Sequence, residues 1–233
     1  KSGETILKID GQIVKRLAAL TQFIPMQLIT PESYTLLSGS PKNRRSYLDW
    51  GVFYHDPLFY SNWSRIKRIL KQRNAALKQC SAYKELQVWD NELCLLSEQI
   101  SAQRANYFTK LQPLIEKTIA DFLPEFTIKS QFFCGWDKNN KPLAQYLADN
   151  FQRDKQLGYT SIGPQKADLK IKINNLPVDD VLSRGQLKLL VYALRLAQGL
   201  FLNAIDNKQC VFLIDDFSSE LDRSKQVILA KHI

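Results

Sequence analysis

The stretch Cys210 to Asp222, CVFLIDDFSSELD, sets the tightest limit on what this chain can become. A short apolar run, Cys210 to Ile214, ends in the adjacent carboxylates Asp215 and Asp216. An apolar run of this length bounded by polar residues reads as a buried parallel strand. In open α/β sheets ligands sit just beyond the carboxyl ends of such strands, where this pair falls. A carboxylate there can hold hydrated Mg²⁺ on a nucleotide phosphate, and its neighbour can orient an attacking water. Asp215 is therefore the candidate metal ligand and Asp216 the candidate catalytic group.

Upstream, Leu182-Ser183-Arg184-Gly185-Gln186 opens a long helix whose apolar face carries Leu187, Leu190, Val191, Leu194 and Phe201. A helix N-terminus offers free N–H groups to an anion, and a glycine there lets the backbone approach a phosphate oxygen. Ser183 fits the N-cap and could add a hydroxyl contact. Taken singly, Ser183 is also an ordinary cap and the Asp pair an ordinary solvated strand end. Their succession, an S-x-G-Q helix, an apolar strand, D-D and then S-E-L-D, is far more specific.

Composition narrows the class. The chain has 233 residues, 45% hydrophobic and 24% charged, which marks a globular protein rather than a disordered one. A net charge of +9 and a pI near 9.3 favour a polyanionic partner. No apolar run looks long enough to cross a bilayer, and no signal peptide opens the sequence, so a cytoplasmic protein is expected. The four cysteines are widely spaced without a C-x-x-C pair, as reduced structural thiols would be. With two histidines, a His-ligated metal centre is not expected. The sequence starts at Lys1, has one methionine (Met26) and contains no Gly-Lys dipeptide. The phosphate loop G-x-x-x-x-G-K-[ST] is thus missing, and the nucleotide site is chemically incomplete. That predicts a piece of a longer protein, lacking the phosphate loop and the C-terminal end.

Along the chain, residues 5–14 alternate around Asp10-Gly11, a hairpin signal, and a short helix is expected to about Leu20. Phe23 to Thr30 reads as a strand entering Pro31, a first helical position after an N-capping Thr30. A further helix is expected from Pro41 to His55. Between Pro57 and Leu123 glycine disappears and helical texture takes over. There Arg65, Lys67, Arg68, Lys71, Arg73 and Lys78 occur without an acid among them. Ile66, Ile69, Leu70 and Leu77 share one helical face, which predicts that the cations occupy the other. Leu93, Leu96, Ile100, Tyr107 and Leu114 lie on a second helix, interrupted by Gln103 and Lys110, and Pro113 is expected to kink or end it. Strands follow at Phe126–Phe133 and Leu169–Ile173, the latter ahead of an Asn174-Asn175 turn, with a helix at Leu143–Lys155 between them. The loop into the Asp215 strand is placed at Asn203–Gln209.

The stretch Pro31 to Asp49 matches P-E-x-x-x-L-L-x-G-x-P-x-x-R-R-x-Y-L-D of the bacterial RecF family of recombinational-repair ATPases. LSRGQLKLL (182–190), LIDDFSSELD (213–222) and GPQKADL (163–169) resemble the same family, in its order. The later segments also resemble the signature, Walker B and D-loop of ABC-type ATPase heads, the group that includes SMC proteins. The resemblance implies an α/β fold, a partial ABC/SMC-like head interrupted by a helical arm. Residues 1–56 and 124–233 would form the head and 57–123 the arm.

It also implies roles. Two heads would dimerise around ATP, with Ser183 and Gly185 touching the γ-phosphate in trans and Gln186 supporting their loop. Asp215 would hold Mg²⁺. Asp216 stands where most relatives have Glu and is one methylene shorter, so hydrolysis would be slow. Asp222 would sense the partner's nucleotide. Arg184 replaces the Gly usual in transporters but agrees with RecF; phosphate, the partner head or solvent could take its guanidinium. Gln27 reads either as the lobe-linking glutamine or as a buried amide satisfied by backbone. Arg45 and Asp49, four apart on a helix, fit a surface ion pair; a DNA phosphate contact by Arg44 and Arg45 is the alternative. The Arg65–Lys78 face reads as solvated or as a DNA surface. Lys166 and Asp168 would brace the sheet. The implied partners are DNA, a second copy, and the mediators RecO and RecR, in recombinase loading, repair and the SOS response, without a membrane. A nucleotide-free binding module and an ABC transporter subunit are the rival readings.

Overall fold

The structure, a computed structural model, describes residues 8–9, 12–13, 21–215 and 223–232. Asp216, Asp222, the Asp10-Gly11 turn and the helix expected before Leu20 lie outside these residues. Strands β1 (Lys8–Ile9) and β2 (Gln12–Ile13) pair antiparallel, Ile9 opposite Gln12, as the hairpin signal requires. Strand β3 (Met26–Ile29) leads through a 3-10 turn (Pro31–Tyr34) into α1 (Thr35–Ser38) and α2 (Pro41–His55). Helices α3 (Phe59–Leu77) and α4 (Gln87–Phe122) follow. Strand β4 (Ile128–Phe133), helices α5 (Leu143–Asp149) and α6 (Phe151–Leu157), strands β5 (Asp168–Ile173) and β6 (Leu176–Pro177), and α7 (Val178–Val181) come next. Helix α8 (Arg184–Asp206), strand β7 (Val211–Ile214) and α9 (Arg223–His232) complete the order.

Two sheets position the site. In one, β3 and β7 run parallel with Gln27 opposite Phe212 and Ile29 opposite Ile214. In the other, β4, β5 and β6 are antiparallel, and Asn174 and Asn175 (φ 49 and 68) turn the chain between β5 and β6. Two consecutive positive φ values are what a tight hairpin turn demands, and asparagine tolerates them.

Helix α8 is the axis of the core: Leu190, Val191, Leu194, Ala197 and Phe201 are fully buried. Its length and mean hydropathy of 1.3 would suit a membrane span, contrary to the expectation that no such run exists, but 61% of that apolar window is buried inside the protein. It therefore packs as a core helix. It also runs on into the loop expected at Asn203–Gln209, stopping where Asn207 adopts φ 50 as a left-handed cap.

Helix α4 lies in the same core, burying Ile100, Tyr107, Leu111, Ile115 and Phe122. It continues through Pro113 instead of ending there, because the packing of the residues around it outweighs one lost backbone hydrogen bond. Close approach explains two glycines. A Cβ at Gly51 on α2 would sit 2.0 Å from the Tyr107 hydroxyl, and one at Gly199 on α8 would sit 2.4 Å from the Phe212 ring. The helix expected over 143–155 is two helices, broken at Asn150.

Candidate nucleotide site

The parallel pair fixes Asp215. The ladder continues past the last strand residue, since the Asp215 N–H donates to the Ile29 carbonyl at 2.9 Å. The Asp215 side chain, one residue beyond β7, is exposed. Beside it, at the end of β3, Thr30 starts the 3-10 turn, where the Thr30 N–H donates to Ser33 Oγ and the Ser33 N–H to the Thr30 carbonyl, both at 2.9 Å. Two parallel strands thus deliver Asp215 and the Pro31–Tyr34 turn to one edge.

That turn reaches the start of α8. The Arg184 guanidinium lies 4.5 Å from the centre of the Tyr34 ring and donates to the Tyr34 hydroxyl. Arg184 is therefore occupied within its own chain, stacked in the way a planar guanidinium favours. At Ser183 the cap is reciprocal. Ser183 Oγ accepts from the Gln186 N–H at 3.3 Å, and Gln186 Oε1 accepts from the Ser183 N–H at 2.9 Å. Gln186 supports the turn as expected. The Ser183 hydroxyl keeps its own proton to donate. The amides of Arg184 and Gly185 have no carbonyl a turn earlier, and a Cβ built at Gly185 meets no atom within 4 Å. The helix start is open to an anion on the glycine side.

Gln27 is buried on the core side of β3, 2% exposed. Its Nε2 donates to Gln198 Oε1 at 2.9 Å, and its Oε1 accepts from Arg195. The amide is satisfied by side chains of α8, not by backbone. A cavity of about 540 Å³ adjoins it, lined by Thr30, Glu32, Asn43 and Arg195 among others. Burial lowers the pKa of Arg195, and its Nε has no partner among the described residues.

Among the described residues no cluster of three metal-ligating side chains occurs. A lone exposed carboxylate fits Mg²⁺, which keeps several waters and takes its remaining oxygens from phosphates.

The cations singled out by sequence divide sharply. Arg44 is spent internally: Nε and Nη2 hold Asp168 at 2.8 and 3.1 Å, and Nη1 donates to the carbonyls of Leu37 and Gly39. Arg45 donates to the Ala167 carbonyl at 2.8 Å; burial, then the neighbouring Arg104, lowers its pKa. The expected Arg45–Asp49 pair does not form. Asp49 is held by Arg104 through Nε at 2.7 Å and Nη2 at 2.9 Å, and Arg104 also donates to the Pro164 carbonyl. The R-R-x-Y-L-D and G-P-Q-K-A-D-L motifs are therefore two sides of one internal lock. Asp168 braces the sheet as expected, while Lys166 lies over the Tyr159 ring.

On α3, Arg73 is not on the basic face. It is fully buried, with Asp90 on Nε at 2.5 Å and with Asp154 and Thr160 on Nη1 at 3.2 and 2.9 Å. Arg65 pairs with Glu92, and Lys67 sits over the Trp63 ring. Arg68 and Lys71 are exposed.

The family model described as RecF/RecN/SMC N terminal domain matches residues 1–233. "DNA replication and repair protein RecF" of Psychromonas ingrahamii is 77% identical over the whole chain, which covers 65% of that protein. The protein of the same name from Vibrio atlanticus is 54% identical, covering 99% of this chain and 64% of its own length. The chain thus spans just under two thirds of these curated relatives. A solved structure of the recombination mediator protein RecF with ATP, in the RecFOR pathway, superposes with a TM-score of 0.86 at 24% identity, covering 98% of this chain and 65% of that one.

Proposed function

The chain belongs to the RecF/RecN/SMC N-terminal domain family, and from that premise we propose that it serves a DNA replication and repair protein whose ATP-bound heads dimerise on DNA. Residues 1–56 and 124–233 contribute to one ATPase head and residues 57–123 to the helical arm. The observation that carries this reading is that the chain presents both an exposed carboxylate, Asp215, at the end of the parallel pair and a serine-capped, glycine-opened helix start. Neither feature is required for packing, since Asp215 is exposed and Gly185 faces open space.

In this reading Asp215 would hold Mg²⁺ through its water shell, and Asp216 would position the attacking water. The Ser183 hydroxyl and the amide of Gly185 receive the γ-phosphate of the opposing head. Asp222 reads the partner's nucleotide, and Gln27 links the Asp215 edge to α8. Magnesium, when bound, supplies charge neutralisation for phosphoryl transfer. The relatives' printed names support replication and repair as the setting, and the RecFOR pathway named for the solved neighbour supports RecO and RecR as partners. Arg68 and Lys71, with Lys67 and Arg65 beside them, offer a DNA surface on the arm; Arg44, Arg45 and Arg73 do not.

The test is a salt-titrated DNA-binding series on the full-length protein with and without ATP, alongside light scattering. Nucleotide should tighten DNA binding and produce a dimer, and Asp215→Asn should abolish both effects without lowering the melting temperature. A protein that stays monomeric and indifferent to nucleotide sinks the proposal.

A further inference from the structure

The outward face of the three-stranded sheet carries Lys129, Gln131 and Phe133 from β4 and Asp168, Lys170 and Lys172 from β5, the alternate residues of Ile128, Leu169, Ile171 and Ile173 that fill the core. Lys129 stands directly opposite Lys172, and Lys170 opposite Gln131. Like charges placed across a strand pair destabilise the sheet. Lys129, Lys170 and Lys172 make no ion pair among the described residues. The acid sharing their face, Asp168, is held by both arms of Arg44. Lys170 lies 4.8 Å from the centre of the Phe133 ring. At the edge, Lys170 and Lys172 line a cleft of about 340 Å³ that also includes Asp179.

Resting on the DNA-binding reading above, we propose that this sheet face is a docking surface for the phosphate backbone of a nucleic-acid strand. A sheet face with lysines, an amide and a half-buried aromatic ring offers phosphate contacts beside a stacking platform, the combination used for single strands. The charge complementarity is that of a polyanion: cations at strand spacing, with Asp168 on the same face already held by Arg44. The same hairpin runs through β6 and α7 directly into Ser183, so a strand bound here sits one short connection from the nucleotide-facing helix start.

The test uses the full chain and fluorescent oligo-dT, with a duplex and heparin as further arms. Replacing Lys129, Lys170 and Lys172 together by Gln should weaken oligo-dT binding roughly tenfold to a hundredfold at moderate salt and flatten the salt slope by about 0.7 for each lost contact. Lys170→Arg with Lys172→Arg should keep wild-type affinity, which separates charge from packing. An Arg68→Gln/Lys71→Gln variant on α3 serves as the comparison surface. If the sheet variant binds oligo-dT with unchanged affinity and slope while the α3 variant does not, the sheet proposal is wrong and the DNA reading stands. If the wild-type chain binds no nucleic acid, both fail. Loss of heparin binding alone, with oligo-dT binding intact, also overturns it.

Discussion

The loop of residues 163–168 and the lysine face of β4 and β5 are neighbours in the chain, and the cations around them are used in opposite ways. Around the loop, Arg44, Arg45 and Arg104 are engaged within the chain by Asp168, Asp49 and the carbonyls of Ala167 and Pro164. On the adjoining sheet face, Lys170 and Lys172 just after the loop and Lys129 on β4 point outward and make no ion pair among the described residues. The residue types follow the task. A rigid guanidinium fork satisfies several oxygens at once, whereas an ammonium on a flexible stem remains hydrated and available. On helix α3 position decides as well as residue type: Arg73 is buried between two acids, while Arg68 and Lys71 are both exposed.

The contrast can be broken most forcefully at Arg73. Its removal leaves Asp90 and Asp154 buried without their cation, so Arg73→Ala should cost about 3–5 kcal/mol in urea unfolding. Asp90→Asn with Asp154→Asn in that background should recover part of the loss; no recovery would mean that packing, not charge, is the larger component. Arg44→Ala should cost on the order of 2 kcal/mol from its charged hydrogen bonds. Arg44→Lys should rescue little, because one ammonium cannot span both Asp168 oxygens and two carbonyls. Full rescue by lysine would erase the arginine–lysine distinction.

A smaller effect comes with alkali. Burial first, and the Asp90 charge after it, push the Cys94 thiol up to about 11 from its ordinary 9.0. The folded state thus holds this proton more tightly than the unfolded chain. Its contribution is fully present below pH 9 and is lost as pH rises from about 9 to about 11. Cys94→Ala should remove that component from a pH series of melting temperatures. Smallest of all, Lys172→Gln should leave stability unchanged or raise it by a few tenths of a kcal/mol, by relieving the pairing with Lys129. A clear loss of stability would make the lysines structural.

Much of the site was legible because its signals are local. The apolar run before Asp215 became β7, the serine and glutamine spaced for a capping box formed one, and Asn174-Asn175 turned as expected. The fate of the arginines was not legible in the same way. Asp168 lies 124 residues from Arg44, and Asp49 lies 55 from Arg104. Helical spacing suggested the nearer Arg45–Asp49 pair instead. Arg73 did leave a trace: with Ile66, Ile69 and Leu77 it completes a helical stripe, and all four are buried. Reading it by charge put it on the wrong face.

The sequence by itself determined the elements, the family resemblance and the positions of Asp215 and the Ser183 helix start, because caps, turns and apolar periodicity act between residues a few positions apart. Only the tertiary structure decided which cations are internal and which are offered to a partner. That choice depends on whether an acid or a carbonyl from a distant segment arrives beside each one, and burial without such a partner would have been prohibitive.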